Sequence, residues 1–365
     1  MTLKLVWANV KHRPLRTLLS VLLIGIPVTL ILTLVGLSRG YIADSERRTR
    51  GVGADLVIRA PGSSMMQFSG ATITQGVIDF IAKQPHVALA TGIITHTFGG
   101  WNNVTGIVPA QFYAMSGGFT FVEGGGFEKP FDVILDTYYA AQVRAKVGRP
   151  ISLINHDWRV VGIVQPGKLS HIFVQASVLQ DLDSSTGKFT VVYAKLDDAK
   201  KNLDIVSQNL RQKLPDYPIY PLEAFVSAIS VSNVPFLSAF INVIIGVGVL
   251  IAFAVVALSM YMAILQRTRE IGILKSLGAD RWFIIQIILI ESLLMAIGGT
   301  ICGIGLSFLT RWAIMRIVPA SLPQAIVPSW WPIAGAIVMG AAVLGALYPG
   351  TIAVRQDPIE ALAYE

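Results

Sequence analysis

The chain has 365 residues, of which 53% are hydrophobic and only 14% are charged, and its mean hydropathy is +0.61. Soluble domains average about a quarter charged residues, so this composition predicts a membrane protein. The formal net charge of +7 does not predict nucleic-acid binding, because many basic residues flank apolar stretches and do not form one basic face.

Four stretches are long and apolar enough to cross a bilayer, whose core needs roughly 20 mainly apolar residues in helical form. The first, between Arg16 and Arg39, carries no charge. Its apolar core exceeds the about 7–15 residues of a signal-peptide h-region, so we expect it to be retained as a span. The other three spans are predicted near residues 236–265, 281–311 and 330–352.

Lysine and arginine residues near the span ends predict the orientation. They are concentrated in the N-terminal tail (Lys4, Lys11, Arg13, Arg16) and in the connection between spans two and three (Arg267, Arg269, Lys275, Arg281). Both segments are therefore predicted to be cytoplasmic, and four spans return the C-terminus to the same side. Arg311 and Arg316 then lie on the outside, where they can reach phosphates of the outer leaflet.

Residues 40–235 are predicted to form a large α+β domain outside the cytoplasm, with a helical stalk at its start. Strands are expected in DLVIRAPG (55–62), in HVALATGIITHTF (86–98) and on both sides of the segment Asn155–Asp157. Helices are expected in TQGVIDFIAKQP (74–85) and near 197–214, and GGFTFVEGGGF (117–127) resembles a loop. We expect these elements to form two small lobes.

Two segments carry a family resemblance. The connection QRTREIGILKSLGAD (266–280) precedes the third span, and the tail YPGTIAVRQDPIEALAYE (348–365) ends the chain. Both resemble the FtsX-like permease family, the MacB and LolC/LolE type of ABC transporter membrane subunit. The opening NVKHRPLRTLLSVLLIGIPV (9–28) is similar to the family's opening, a basic amphipathic helix containing Lys11, Arg13 and Arg16. The domain 40–235 is similar in layout to the MacB-type periplasmic domain.

The resemblance implies a domain plan and a function. Residues 1–39 would hold the first helix and span, 40–235 a periplasmic MacB-like domain, and 236–365 an FtsX-like domain with spans two to four. The chain would be a permease subunit in the bacterial inner membrane that transmits ATP-driven motion for export or extraction of a substrate. The family uses this architecture for lipoproteins, lipids, peptides and drugs alike. The alternative is a transmembrane signalling or scaffold protein that activates a periplasmic cell-wall hydrolase.

The partners and cofactors also follow from the resemblance. A separate cytoplasmic ABC ATPase would bind ATP and Mg²⁺, and this chain would bind neither. Two copies, or one copy and a paralogue, would pair through spans near the glycine-rich faces. A periplasmic adaptor and an outer-membrane channel are further partners that the family allows. No G-x-x-x-x-G-K-[ST] loop is present to hold phosphates, and the glycines at 124–126 lack the lysine and hydroxyl of that loop.

The cytoplasmic connection 266–282 is the predicted ATPase-coupling element. A short helix parallel to the membrane suits a motor that pushes on it, with Arg269 and Glu270 facing the partner. The simpler interpretation is that its basic residues only obey the positive-inside rule. The predicted coupling residues share this one connection: Arg267, Arg269, Glu270, Gly272, Lys275, Leu277, Gly278 and Arg281.

Glu291 is the one carboxyl deep within a predicted span. Intramembrane carboxyls are costly and usually face a protein interior or water. Glu291 is either a polar or proton-relaying group in the conformational cycle or, more simply, a structural hydrogen-bond partner of Ser259 or Asn242. Gly299 and Gly303 have the small-x-x-x-small spacing that lets helices approach closely. The alternative is that glycine is simply common in membrane helices.

Other chemistry has little support in the sequence. His96, His156 and His171 have no cysteine or acidic residue at metal-ligand spacing, so we expect surface or strand histidines and no metal site. No G-x-S-x-G elbow surrounds a serine, so no catalytic residue is predicted. The one cysteine, Cys302, excludes an intramolecular disulfide and lies in an apolar span, where burial raises a thiol's pKa. The chain is thus not predicted to be an enzyme by itself.

Overall fold

The structure is a computed structural model, and it describes residues 14–63, 71–98, 102–228, 235–266, 268–318, 320 and 322–355. These residues form two compact units. The membrane unit contains 1–39, 236–313 and 324–365, and the inserted domain contains 40–235 together with 314–323. Ala320, in that last segment, is buried in the core of the inserted domain, where its amide donates to Oε1 of Gln142 (3.2 Å).

Four helices of the described chain are long and apolar enough to cross a membrane. They are α1 (Pro14–Arg50), α8 (Pro235–Gln266), α10 (Arg281–Ile317) and α11 (Trp330–Arg355). The short helix α9 (Thr268–Ser276) lies between α8 and α10. With 37 residues, α1 is about 56 Å long, which exceeds a bilayer core of about 30 Å. Its residues from Gly40 onward belong to the inserted domain.

The first and third spans pack closely through glycines. A Cβ on Gly299 would lie 2.4 Å from Cγ2 of Ile24, and one on Gly303 would lie 2.5 Å from Cβ of Val28. The hydroxyl of Thr29 donates to the carbonyl of Gly303 at 3.1 Å. Small residues let helix backbones approach within lipid, where packing and interhelical hydrogen bonds drive association. The glycine face therefore holds two helices of the same chain together.

The inserted domain is built on one ten-stranded sheet and a separate two-stranded one, counted over the described residues. The strands are β1 (Leu56–Arg59), β2 (Ile73–Thr74), β3 (Val87–Phe98), β4 (Asn102–Ile107), β5 (Phe121–Gly124), β6 (Asp132–Asp136), β7 (Pro150–Leu153), β8 (His156–Val164), β9 (Ile172–Gln175), β10 (Lys188–Phe189), β11 (Val191–Leu196) and β12 (Ile219–Pro221). The order of the large sheet is β12-β1-β11-β3-β4-β9-β6-β8-β5, and β7 also pairs with β8.

Seven helices connect and cover these strands in the inserted domain as described. Besides the end of α1 they are α2 (Gln75–Ala82), α3 (Pro109–Ser116), α4 (Thr137–Val143), α5 (Ala176–Leu182), α6 (Ala199–Lys213) and α7 (Leu222–Ala228). The sheet buries an apolar core on each side, one containing Trp158 and the other Phe112 and Phe173. Four membrane helices with a large α+β domain between the first two confirm the predicted fold class.

Three details differ from the sequence prediction. The expected loop 117–127 contains the edge strand β5, which is held in place by antiparallel pairing with β8. The turn between β7 and β8 is at Ile154 and Asn155, both with positive φ, and His156 already belongs to β8. The two expected lobes are one sheet, because the long strand β3 pairs with β11 along its first part and with β4 along its second.

A buried ion pair fixes the start of β6. Asp132 is 1% exposed and accepts a hydrogen bond from Nε of Arg159 (2.9 Å) and two from the backbone amides of Glu128 and Lys129. Burial alone would raise the pKa of Asp132, but these hydrogen bonds and the positive charge outweigh it, so its pKa is lowered. The carboxylate is therefore the stable form in the folded domain.

Candidate functional site

The connection between the second and third spans is a helix followed by a tight turn. The helix α9 ends in a Schellman motif, in which the amide of Ala279 donates to the carbonyl of Leu274 (2.9 Å) and that of Gly278 to Lys275 (3.0 Å). Gly278 has φ +87°, the left-handed conformation that glycine adopts at little cost and in which many helices end. Asp280 directly precedes α10, and its backbone carbonyl accepts a hydrogen bond from the amide of Phe283.

Lys275 joins this connection to the fourth span. Its Nζ donates to the carbonyl of Val354 at 2.9 Å, in the last turn of α11. A helix C-terminus carries partial negative charge and unpaired carbonyls, so a lysine there is stabilising. The contact joins residues 79 positions apart. Lys275, one of the predicted coupling residues, thus joins α9 to the end of α11 within the membrane unit.

The turn presents an apolar surface next to a shallow groove. The groove has a volume of about 460 Å³ and is lined by Leu274, Leu277, Gly278, Ala279, Asp280 and Phe283. Leu277 is 79% exposed and Trp282 is 59% exposed. Large exposed apolar side chains beside a groove are typical of protein interaction sites. The groove can therefore receive an apolar side chain of another protein while Leu277 is buried against it.

The structure places some predicted coupling residues and not others. Gly272 is buried in α9, and Arg281 is exposed at the start of α10. Arg269 and Glu270 belong to α9, but their side chains are outside the described part of the structure, as is that of Arg16 in α1. Arg267, Lys11 and Arg13 lie outside the described residues altogether. Trp282 lies in the predicted connection 266–282 and Phe283 directly follows it, but neither was among the predicted coupling residues.

Glu291 is buried inside the membrane unit, with 4% of its surface exposed. It lies on α10 one turn from the buried residues Ile288 and Met295. Ser259, one of its predicted partners, bonds through its hydroxyl to Ser20 at 2.8 Å. Glu291 therefore faces the protein interior, as expected for an intramembrane carboxyl.

A buried charge network holds the end of α1 in the inserted domain, and the sequence did not reveal it. Asp44 is 3% exposed and accepts from Nε of Arg48 (2.8 Å). Nε2 of His171 lies 3.7 Å from Asp44, and its Nδ1 lies 2.5 Å from Asp136, which is fully buried. His171, expected to be an ordinary surface or strand histidine, directly precedes β9 and lies between the carboxylates of Asp44 and Asp136. These contacts link the end of α1 to the rest of the inserted domain.

The described residues contain no group of three or more His, Cys, Asp or Glu side chains that could hold a metal ion. His96 instead pairs with Asp183 (2.9 Å), and Nδ1 of His156 contacts the carbonyl of Ile154 (2.8 Å). These contacts account for the two histidines as structural groups.

Two known families match the chain. The MacB-like periplasmic core domain matches residues 17–213, which is more than half of the chain. The FtsX-like permease C-terminal family matches residues 242–358. The second match covers the connection 266–282, the groove and Glu291, and the first covers the end of α1 with its charge network.

Curated relatives show the same similarity. The uncharacterized ABC transporter permease YknZ of Bacillus subtilis is 29% identical over 227 residues, covering 60% of this chain and 55% of that protein. The macrolide export ATP-binding/permease protein MacB of Escherichia coli K12 is 24% identical over 405 aligned positions, covering 100% of this chain and 60% of that protein. The matched region is thus little more than half the length of these relatives.

Among solved structures, the periplasmic region of MacB from Actinobacillus actinomycetemcomitans aligns with a TM-score of 0.37 and 15% identity. That alignment covers 49% of this chain and 94% of that structure. The extracellular domain of the ABC-type transporter YknZ aligns with a TM-score of 0.35 and 13% identity.

Proposed function

The chain belongs to the family of ABC transporter permeases of the MacB and FtsX type, and from this premise we propose that it transmits ATP-driven motion for export or extraction of a substrate. ATP and Mg²⁺ are bound by a separate cytoplasmic ATPase, and this chain hydrolyses nothing by itself. The observation that carries the proposal is the surface formed by α9 and its turn, where the exposed Leu277 lines a shallow groove together with Leu274 and Phe283.

The ATPase docks on this surface by burying Leu277 and inserting an apolar side chain between Leu274 and Phe283. Burial of apolar surface supplies the affinity, because it removes these groups from water. Arg267, Arg269, Glu270 and Arg281 select the partner by charge complementarity around the apolar centre. Gly272, which is buried, and Gly278 keep α9 and its turn in the docked shape.

Motion at the docking surface reaches the spans because the connection is stiff. Lys275 joins α9 to the last turn of α11, and the Schellman motif joins it to α10 through a fixed turn. The basic residues Lys11, Arg13 and Arg16 give the ATPase a second contact. A displacement of α9 therefore also displaces α10 and α11, because no flexible loop separates them from the docking surface.

The inserted domain receives this motion through α1. This helix is continuous from Pro14 to Arg50, and Asp44 near its end contacts His171, which directly precedes β9 and is paired with Asp136 of β6. A continuous helix carries displacement along its axis, because each turn is held by backbone hydrogen bonds. A displacement of the first span therefore also displaces the sheet of the inserted domain.

The complex lies in the bacterial inner membrane with both termini of the chain in the cytoplasm, an orientation that the lysine and arginine distribution supports. It contains a second copy or a paralogue of this chain, and it can work with a periplasmic adaptor and an outer-membrane channel. Since Gly299 and Gly303 already pack against Ile24 and Val28 of the same chain, the two copies pair through other faces than the glycine face expected from the sequence.

Photocross-linking at the docking surface tests this proposal. The photoreactive residue p-benzoylphenylalanine replaces Leu277 in cells that make the full chain, and captured proteins are identified by mass spectrometry. We expect a protein with a G-x-x-x-x-G-K-[ST] loop at position 277 and none at position 205, where Ile205 is also well exposed (61%) but belongs to the inserted domain. Absence of such an ATPase at position 277, or equal capture at both positions, would contradict the proposal.

A further inference from the structure

We propose that the inserted domain binds anionic phospholipids of the leaflet on its own side of the membrane, through a loop between α4 and β7. This basic loop, residues 143–149, has the sequence VRAKVGR. Its cations Arg144, Lys146 and Arg149 are all exposed. The surface belongs to the inserted domain, and lipid binding there does not depend on ATPase docking.

The basic loop lies beside the segment that leaves the third span. The helix α10 ends at Ile317, and three positions later the amide of Ala320 donates to Oε1 of Gln142, the residue before the loop, at 3.2 Å. Trp312 in α10 is 59% exposed, and tryptophan is enriched where spans meet the headgroups. From Trp312 to Ile317 the helix rises about 7.5 Å, which is about the thickness of one headgroup layer. The loop is therefore held at the edge of the bilayer.

The charge of this surface has one sign. Residues 137–155 and 314–323 together contain four lysines or arginines and no aspartate or glutamate. Segment 40–235 as a whole is nearly balanced, with 17 basic and 16 acidic residues, so the excess is local. Among the described residues, no carboxylate forms an ion pair with the three cations of the loop. These cations complement the phosphates of anionic lipids, whose attraction falls off within about 10 Å.

Exposed apolar side chains accompany these charges. Within the loop, Val143 is 41% exposed and Val147 is 36% exposed, and in the segment 314–323 Ile317 is 68% exposed and Leu322 is 45% exposed. Segments that lie in a membrane interface combine cations with apolar groups, because the cations meet phosphates while the apolar groups enter the boundary with the acyl chains. The position next to a span therefore favours a lipid surface over an acidic protein as the occupant.

The backbone of the basic loop is held in place by its own hydrogen bonds. Helix α4 ends in a Schellman motif, in which the amide of Ala145 donates to the carbonyl of Ala140 at 2.9 Å and Arg144 has φ +53°. Ala145 packs against the core of the inserted domain, and the amide of Gly148 donates to the carbonyl of Val160 at 2.8 Å. Binding therefore requires little ordering of the backbone, which lowers its entropic cost.

Fluorescence quenching in nanodiscs tests the proposal with the full chain. In a Cys302→Ser background, Val147→Cys is labelled with a fluorophore. The nanodiscs contain equal amounts of phosphatidylglycerol and phosphatidylcholine, and either one lipid or the other carries a nitroxide near its headgroup. We expect phosphatidylglycerol to quench at least about fivefold more effectively, the contribution of one lysine or arginine near an anionic surface.

Removal of charge shows whether the basic loop causes this preference. The triple substitution Arg144→Gln, Lys146→Gln and Arg149→Gln should bring the ratio of quenching by the two lipids close to one at position 147. The matched control removes the same charge from three exposed lysines elsewhere in the domain and should keep the ratio: Lys83→Gln, Lys188→Gln and Lys200→Gln. Because the ratio is measured within each variant, the amount of folded protein does not change it.

A fluorophore at Ile205→Cys, on α6 of the same domain, gives the reference position, because Ile205 is 61% exposed but lies outside the basic loop. No preference between the two lipids is expected there. Equal quenching by both lipids at position 147, with the loop unmodified, would overturn the proposal. Absence of quenching by either lipid would also overturn it, since the loop would then lie away from the bilayer and face another partner. A preference that persists in the triple variant would assign it to cations outside the loop.

Discussion

Truncation of Leu277 tests the docking surface quantitatively. Leu277→Ala removes three carbon atoms, and each buried methylene contributes about 0.8 kcal/mol. The side chain is 79% exposed in the free chain, so about four fifths of its surface is available to be buried by a partner. The loss of binding free energy is then about 1.9 kcal/mol, which corresponds to about 25-fold weaker binding of the ATPase.

The variant should leave the chain itself intact. An exposed side chain contributes little to folding, so thermal stability should change by less than the about 0.5 kcal/mol typical of surface substitutions. Binding of the purified ATPase to the chain in nanodiscs is measured by biolayer interferometry. Ile205→Ala is the matched control, because it truncates another exposed apolar residue outside the docking surface.

A clear result would refute the reasoning. If the dissociation constant of the Leu277→Ala variant for the ATPase is within about threefold of that of the unmodified chain, then Leu277 stays in water in the complex. Ile205→Ala should give such an unchanged constant. The groove lined by Leu274 and Phe283 would then not be the contact, and the connection would keep only its role in orientation. A variant that no longer inserts into the membrane is detected beforehand by its thermal unfolding curve.

Three further predictions concern the turn, the orientation and the inserted domain. Gly278→Val should uncouple the ATPase and Gly278→Asn should not. Gly278 has φ +87°, and asparagine tolerates this conformation at a far lower cost than a β-branched residue. Stimulated ATP hydrolysis by the complex measures the difference, and equal activities of the two variants would show that the turn is not needed. In a Cys302→Ser background, a cysteine at Ser184 should react with an impermeant thiol reagent in intact cells and one at Ser276 only after permeabilisation; labelling of position 276 in intact cells would reverse the orientation. The pKa of Asp132 is lowered in the folded state, so its contribution to stability is complete above its unfolded pKa of about 4 and is lost as pH falls further. The difference in melting temperature between the unmodified chain and Asp132→Asn should therefore shrink from pH 6 to pH 3, and a constant difference would contradict the assignment.

The sequence predicts the spans and the fold class well because both depend on local patterns. An uninterrupted apolar run is sufficient to identify a membrane helix, whatever packs against it. Strand β5 was missed because all four of its residues are exposed, so no alternation marks it. Its strand conformation depends on pairing with β8, more than 35 positions away, which no local pattern contains.

The candidate site was predicted in part for the same reason. The left-handed conformation of Gly278 follows from its place after a helix and could be predicted. The exposure of Leu277 and the contact of Lys275 with Val354 depend on how the helices pack, and the sequence could not give them. The network of Asp44, His171 and Asp136 likewise exists only in the folded domain, since three separate elements supply its members.

The central claim is that ATP-driven motion enters at α9 and reaches the inserted domain through α1. Hydrogen–deuterium exchange of the assembled complex in nanodiscs tests it directly, by comparing segment 40–50 with and without ATP and vanadate. We expect exchange in this segment to change on ATP binding with the unmodified chain, and not to change with Leu277→Ala under conditions where the ATPase still turns over. Unchanged exchange in segment 40–50 of an unmodified complex that hydrolyses ATP would contradict it.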